Sequence, residues 1–146
     1  MKVTMLLADS AQELAGKLYI LGGGWSVTGP DPTPSAIAIK FDIPWDRANH
    51  RYQLQLELLT SDGEPVMVPS ASGEEVPLLI TAQVEAGRPP GLKPGTALDG
   101  AMAINFGPLP LEPDTRYEWR LTIDGRHEDD WSLPFTTRAA RPPQPS

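Results

Sequence analysis

The chain of 146 residues contains no cysteine. Disulfides, thiol catalysis, thiolate metal sites and iron–sulfur clusters are therefore excluded. Histidine is almost as scarce, represented only by His50 and His127. Zinc needs three or four ligands, and no spacing nominates the others, so each histidine is expected at the surface. Basic residues are the minority, with 12 Lys and Arg against 19 Asp and Glu, a net charge of −7. An acidic chain without a basic run is a poor partner for nucleic acid or an anionic membrane. Long apolar runs are missing too. The opening stretch Val3–Ala8 contains Thr4 and stops at Asp9, short of the roughly 7–15 apolar residues of a signal peptide. No stretch approaches the roughly 20 apolar residues of a membrane span. These absences predict a cytoplasmic protein with no membrane contact.

Helical patterning is confined to Asp9–Gly16, where Asp9 and Gln12 have the spacing of a capping box and Gly16 would end a turn or two. Elsewhere the apolar period is two. Tyr52, Leu54, Leu56 and Leu58 alternate with Arg51, Gln53, Gln55 and Glu57, and Tyr117, Trp119, Leu121 and Ile123 alternate with Arg116, Glu118, Arg120 and Thr122. Both runs predict antiparallel strands with one buried face. Ser35–Ile43, Val76–Glu85 and Ala101–Phe106 alternate in the same way, and Lys2–Ala8, Lys17–Leu21, Pro65–Val68 and Trp131–Thr137 are weaker candidates. The 17 Pro and 13 Gly punctuate these runs. Ser61-Asp62-Gly63-Glu64 and Asp124-Gly125 supply the positive φ that tight hairpins need. Pro44 and Pro134, lacking an amide donor, belong at strand ends, edges or bulges. About eight or nine strands spaced by turns predict an all-β antiparallel sandwich over residues 1–138. A Pro-rich tail, 139–146, is expected to be disordered.

Two resemblances follow from particular residues. Leu111-Glu112-Pro113-Asp114-Thr115-Arg116-Tyr117 resembles the approach to the penultimate strand of fibronectin type III and related immunoglobulin-like domains. It implies an immunoglobulin-like sandwich with Tyr117 in a tyrosine corner, its hydroxyl bonded to upstream backbone. The stretch 2–21 would add an extra N-terminal strand pair. Leu7-Ala8-Asp9-Ser10-Ala11-Gln12, Gly16–Trp25, Gly87-Arg88-Pro89-Pro90-Gly91 and Tyr117-x-Trp119 together resemble an uncharacterised family of short bacterial proteins, chiefly actinobacterial, a domain of unknown function. That resemblance implies a bacterial source and no particular chemistry.

Catalytic motifs fail on inspection. Gly22-Gly23-Gly24 follows a strand but lacks the rest of a phosphate-binding loop, and Gly91-Leu92-Lys93-Pro94-Gly95-Thr96 is no Walker motif. No Gly-x-Ser-x-Gly elbow exists for a hydrolase. His127-Glu128-Asp129-Asp130 with Asp124 lacks the alternating spacing of a calcium loop and reads as a solvated hairpin tip. The expectation is no enzyme, no cofactor and no metal.

What remains is contact surface. Trp119 lies in an alternating strand and belongs to the core. Trp25, Trp45 and Trp131 would either cap the sandwich ends or form a platform on which sugars stack. In the stiff loop 86–100, Arg88 and Leu92 are candidate contacts, with Leu98 exposed unless the loop folds back. Leu6 and Leu79 fall on the outward side of their strands. With Trp25, Leu92 and Leu98 they would form one apolar patch, and a homodimer would bury Leu6 or Leu79. The reading is a module that contacts protein, itself included; the alternative is a carbohydrate-binding module.

Overall fold

The computed structural model describes residues 1–140; most of the proposed tail, 141–146, lies outside the described residues. Eleven strands are present: β1 Lys2–Leu14, β2 Lys17–Gly23, β3 Val27–Thr28, β4 Ser35–Ile43, β5 Tyr52–Thr60, β6 Met67–Pro69, β7 Glu75–Pro77, β8 Leu79–Val84, β9 Leu98–Phe106, β10 Arg116–Ile123 and β11 Ser132–Thr137. A single 3-10 turn, Trp45–Arg47, interrupts them. One sheet has the order β2-β1-β4-β9 and a second the order β3-β11-β10-β5-β8, while β6 and β7 form a separate hairpin. Every pairing is antiparallel except that of β3 with β11.

The alternating runs explain the sandwich. Val3, Met5 and Leu7 of β1, Ile37, Ile39, Phe41 and Ile43 of β4, and Leu98 of β9 meet Leu54, Leu56, Leu58, Tyr117, Trp119, Leu121, Ile123 and Phe135 from the facing sheet. The Phe106 ring stacks on Trp119 at 4.9 Å. At Gly100 a Cβ would sit 3.2 Å from Phe41 and Ile43 of the adjacent β4 and from Val84 of the facing sheet. At the opposite end, the Tyr117 hydroxyl accepts a hydrogen bond from the Glu112 amide at 2.8 Å, and its ring stacks on Phe135 at 5.6 Å.

Two expectations need correction. The helix expected over Asp9–Gly16 is strand. β1 runs on to Leu14, and Ala15 and Gly16, at φ 51° and 78°, form the tight turn into β2. The local helix signal loses to pairing and packing that the rest of the chain supplies. Val76–Glu85 is two strands rather than one. The break is at Leu78, whose amide donates to Val66 while its carbonyl accepts from Leu58, and Val76 ends up exposed rather than inward. This split and the two-residue β3 bring the strands to eleven, close to the eight or nine expected. Pro134 lies in β11 opposite Glu118 on an open edge, as its missing amide donor requires, because β3 covers only Thr136 and Thr137 on the other side.

The N-terminal hairpin adds a layer outside the sandwich. β1 pairs with β4 through Ala8 and with β2 from Ala8 onward, so its second half leaves the sheet and folds over the outer face. Ala8, Ala11, Ala36 and Ala38 form a second, separate buried cluster there, covered by Leu18, Ile20 and Ala103. Alanines on the outer face let a strand approach closely. Asn105 of β9 then clasps the crossing strand, its Oδ1 accepting from the Ala11 amide at 3.2 Å and its Nδ2 donating to the Ala11 carbonyl at 2.8 Å.

Candidate contact surface

The loops at one end of the sandwich are braced by charge. Asp124, at φ 48° in the β10–β11 turn, accepts from the Gln53 amide at 2.8 Å and contacts His50 Nε2 at 2.9 Å. The Gln53 amide, then the His50 contact, hold the Asp124 carboxyl below its usual range, against a smaller opposing effect of burial. His50 in turn lies edge-on to Tyr52 at 4.4 Å. His127 Nδ1 is 2.8 Å from the Leu121 carbonyl, which ties it to the hairpin. Among the described residues no group of three or more His, Asp or Glu converges as a metal site would require. On the outer face of the first sheet, Lys40 Nζ bridges Asp42 at 2.7 Å and Asp99 at 2.9 Å. Burial alone would lower the Lys40 ammonium, but these hydrogen bonds outweigh it and raise the group. The bond from Lys40 is the main cause that lowers Asp42.

The aromatic platform does not assemble. Trp131 is 5% exposed and belongs to the core. Trp45 lies at the same end but carries the Arg88 guanidinium over its ring at 4.3 Å. Arg88 also donates twice to the Trp45 carbonyl, at 2.6 and 3.1 Å, so it pins its own loop instead of facing a ligand. Trp25 lies at the opposite end, edge-on to Phe135 at 6.3 Å. It borders a cavity of about 30 Å3 lined by Leu7, Trp119 and Phe135, room for a water molecule rather than a sugar ring.

The single apolar patch expected from Leu6, Leu79, Leu92, Leu98 and Trp25 does not form either. Leu98 is buried, and Leu92 and Trp25 pack partly against the core. Leu6 lies opposite Ala38 on the outer face of the first sheet. Leu79 lies opposite Glu57 on the second. Both are exposed, but the sandwich stands between them.

The surface that alternation did not reveal is the N-terminal hairpin. Leu14, Tyr19 and Leu21 are 57%, 53% and 71% exposed. Register places Leu14 across from Lys17, Gln12 from Tyr19 and Ser10 from Leu21, so they share the face turned away from the alanine cluster. The sequence offers Lys17–Leu21 as a strand, but the residues that face Tyr19 and Leu21, Gln12 and Ser10, lie in the segment with the local helix signal, so the direction of that face is not legible from the sequence.

Residues 3–136 match the family described as "Family of unknown function (DUF6941)". The chain belongs to that family. The match spans the whole sandwich and the N-terminal hairpin, so the hairpin lies within the shared unit. No curated protein matches the DUF6941 chain. Among the described residues, no helix is long and apolar enough to cross a membrane.

Proposed function

We propose that this protein is a non-enzymatic, immunoglobulin-like module of the bacterial cytoplasm that acts by protein contact, including contact with itself. The immunoglobulin-like assignment is supported by β1-β4-β9 facing β11-β10-β5-β8 and by the Tyr117 hydroxyl bonded to Glu112 at the corner before β10. The contact function rests on one observation: large apolar side chains, Leu14, Tyr19 and Leu21 foremost, stand exposed on strands rather than on loop tips. Strands present flat, regular surfaces and unpaired edges, which other chains recognise. The test is light scattering from low to high micromolar concentration, beside tryptophan-fluorescence titration with soluble polysaccharides. Association without a saturable sugar response is expected. Saturable quenching by a polysaccharide would overturn the reading in favour of a carbohydrate-binding module.

A further inference from the structure

The cavity beside Trp25 is, we propose, a specific site for a single water molecule, which accepts from the Trp25 indole N–H and donates to the segment 28–35. The inference is independent of the contact reading above. Trp25 Nε1 is screened from solvent and has no hydrogen-bond partner among the described residues. A buried N–H without an acceptor bears the full cost of its desolvation, so native proteins rarely keep one. Trp131 Nε1 and Arg120 Nε are in the same condition, although the Arg120 guanidinium still donates from Nη2 to Glu118 at 3.2 Å. Of the three residues, Trp25 alone lines the cavity of about 30 Å3.

The chemistry of the cavity selects its guest. Leu7, Trp119 and Phe135 give it an apolar side, while Thr28, Thr33 and Ser35 bring hydroxyl groups to its lining. Pro30, Pro32 and Pro34 have no amide proton, so the segment that borders the cavity is rich in acceptors and poor in donors. An indole N–H donates only. Water fits between the two, because it takes the one proton that Trp25 offers and returns two to the oxygens of the segment. The size agrees. A buried water needs at least about 10–15 Å3 and takes up about 30 Å3 in the liquid. Charged guests fit poorly. The N–H opposes a cation, and Asp31 lines the same cavity and opposes an anion. A purely apolar cavity of this size would stay dry, but one with a buried donor and several hydroxyls meets the two to four polar partners that an ordered water requires.

The water also completes the seating of the segment. On its β11 side the Ser26 and Thr28 carbonyls accept from the Thr136 and Arg138 amides at 2.9 and 2.8 Å. The Gly29 carbonyl accepts from the Arg138 guanidinium at 2.8 Å. Toward the core the same segment meets leucine and aromatic rings, and there the water supplies the polar contact.

High-resolution diffraction from the full chain tests the assignment. A single oxygen peak is expected about 2.9 Å from Trp25 Nε1, within hydrogen-bond distance of at least one oxygen of residues 28–35. In solution the Trp25 indole proton should show a water cross-peak of opposite sign in NOE and ROE spectra, the mark of a long-lived water. Trp25→Phe keeps an aromatic ring and removes the N–H, and water relaxation dispersion should then lose one long-lived water per chain. An unchanged count means that the indole does not hold the water and overturns the assignment. If that variant fails to fold, the two measurements on the native chain still decide. A cavity without density or water cross-peak that takes up xenon under pressure overturns the proposal, as does a direct bond from Trp25 Nε1 to a protein oxygen.

Discussion

Two buried regions of this molecule are built from opposite materials. Between the sheets lie Trp119, Phe41, Ile37, Ile39 and Leu56, all fully buried, at the spacing large side chains impose on stacked sheets. Outside the first sheet lie Ala8, Ala11, Ala36 and Ala38, equally buried but too small to hold two layers apart. The first region derives its stability from apolar area. The second has little area to bury, so the hairpin is held by close approach and by the two-point Asn105 clasp on Ala11. A layer fixed in this way leaves its far face and far edge in solvent, and that is where Leu14, Tyr19 and Leu21 stand. The contrast separates stabilising apolar residues from those available for contact.

The largest effect is expected in the main core. Trp119→Ala removes the ring stacked on Phe106 and should cost about 3–5 kcal/mol, read from the urea midpoint. In the alanine layer the direction of the size rule reverses. Ala38→Leu inserts methyl groups where there is no room and should cost about 1–3 kcal/mol by the same measurement; stabilisation would mean that the hairpin is not closely seated. Asn105→Ala strips two hydrogen bonds from the Ala11 backbone, for about 1–3 kcal/mol. Its amide-exchange signature should be faster exchange at Ala11, with the Trp119 region unchanged.

The sequence displayed one of these regions and concealed the other. Tyr52–Leu58 and Arg116–Ile123 declare their buried faces by alternation, and Leu111–Tyr117 declares its corner, because each signal is local. The hairpin is not local: Asn105 meets Ala11 across 94 positions, and alanine marks a helix as readily as a close strand crossing. Leu6 and Leu79 were legible as outward residues. That they lie on different sheets depends on the order of strands, which periodicity does not encode. Trp131 and Arg88 looked available for the same reason, since nothing local shows that one is core and the other is bound to Trp45.

Smaller effects sharpen the comparison at the loop ends. Tyr117→Phe should cost about 0.5–1.5 kcal/mol through the lost bond to Glu112, by urea midpoint, with no change in self-association. Asp124 has a lowered carboxyl in the folded protein, so its contribution is present above the ordinary carboxylate range. It is lost as the pH falls through the lowered folded value. Asp124→Asn should therefore flatten the acid limb of the stability–pH curve and leave the neutral-to-alkaline limb parallel to that of the native protein.

Hydrogen exchange at the β2 edge, followed residue by residue across a concentration series, tests the central claim most directly. The amides of Leu18 and Ile20 should exchange rapidly in dilute protein and slow as the concentration rises, while those of Lys17, Tyr19 and Leu21, already bonded to β1, keep their rates. Exchange at Leu18 and Ile20 that is independent of concentration, in a sample whose mass has doubled, would contradict the account and place the contact elsewhere.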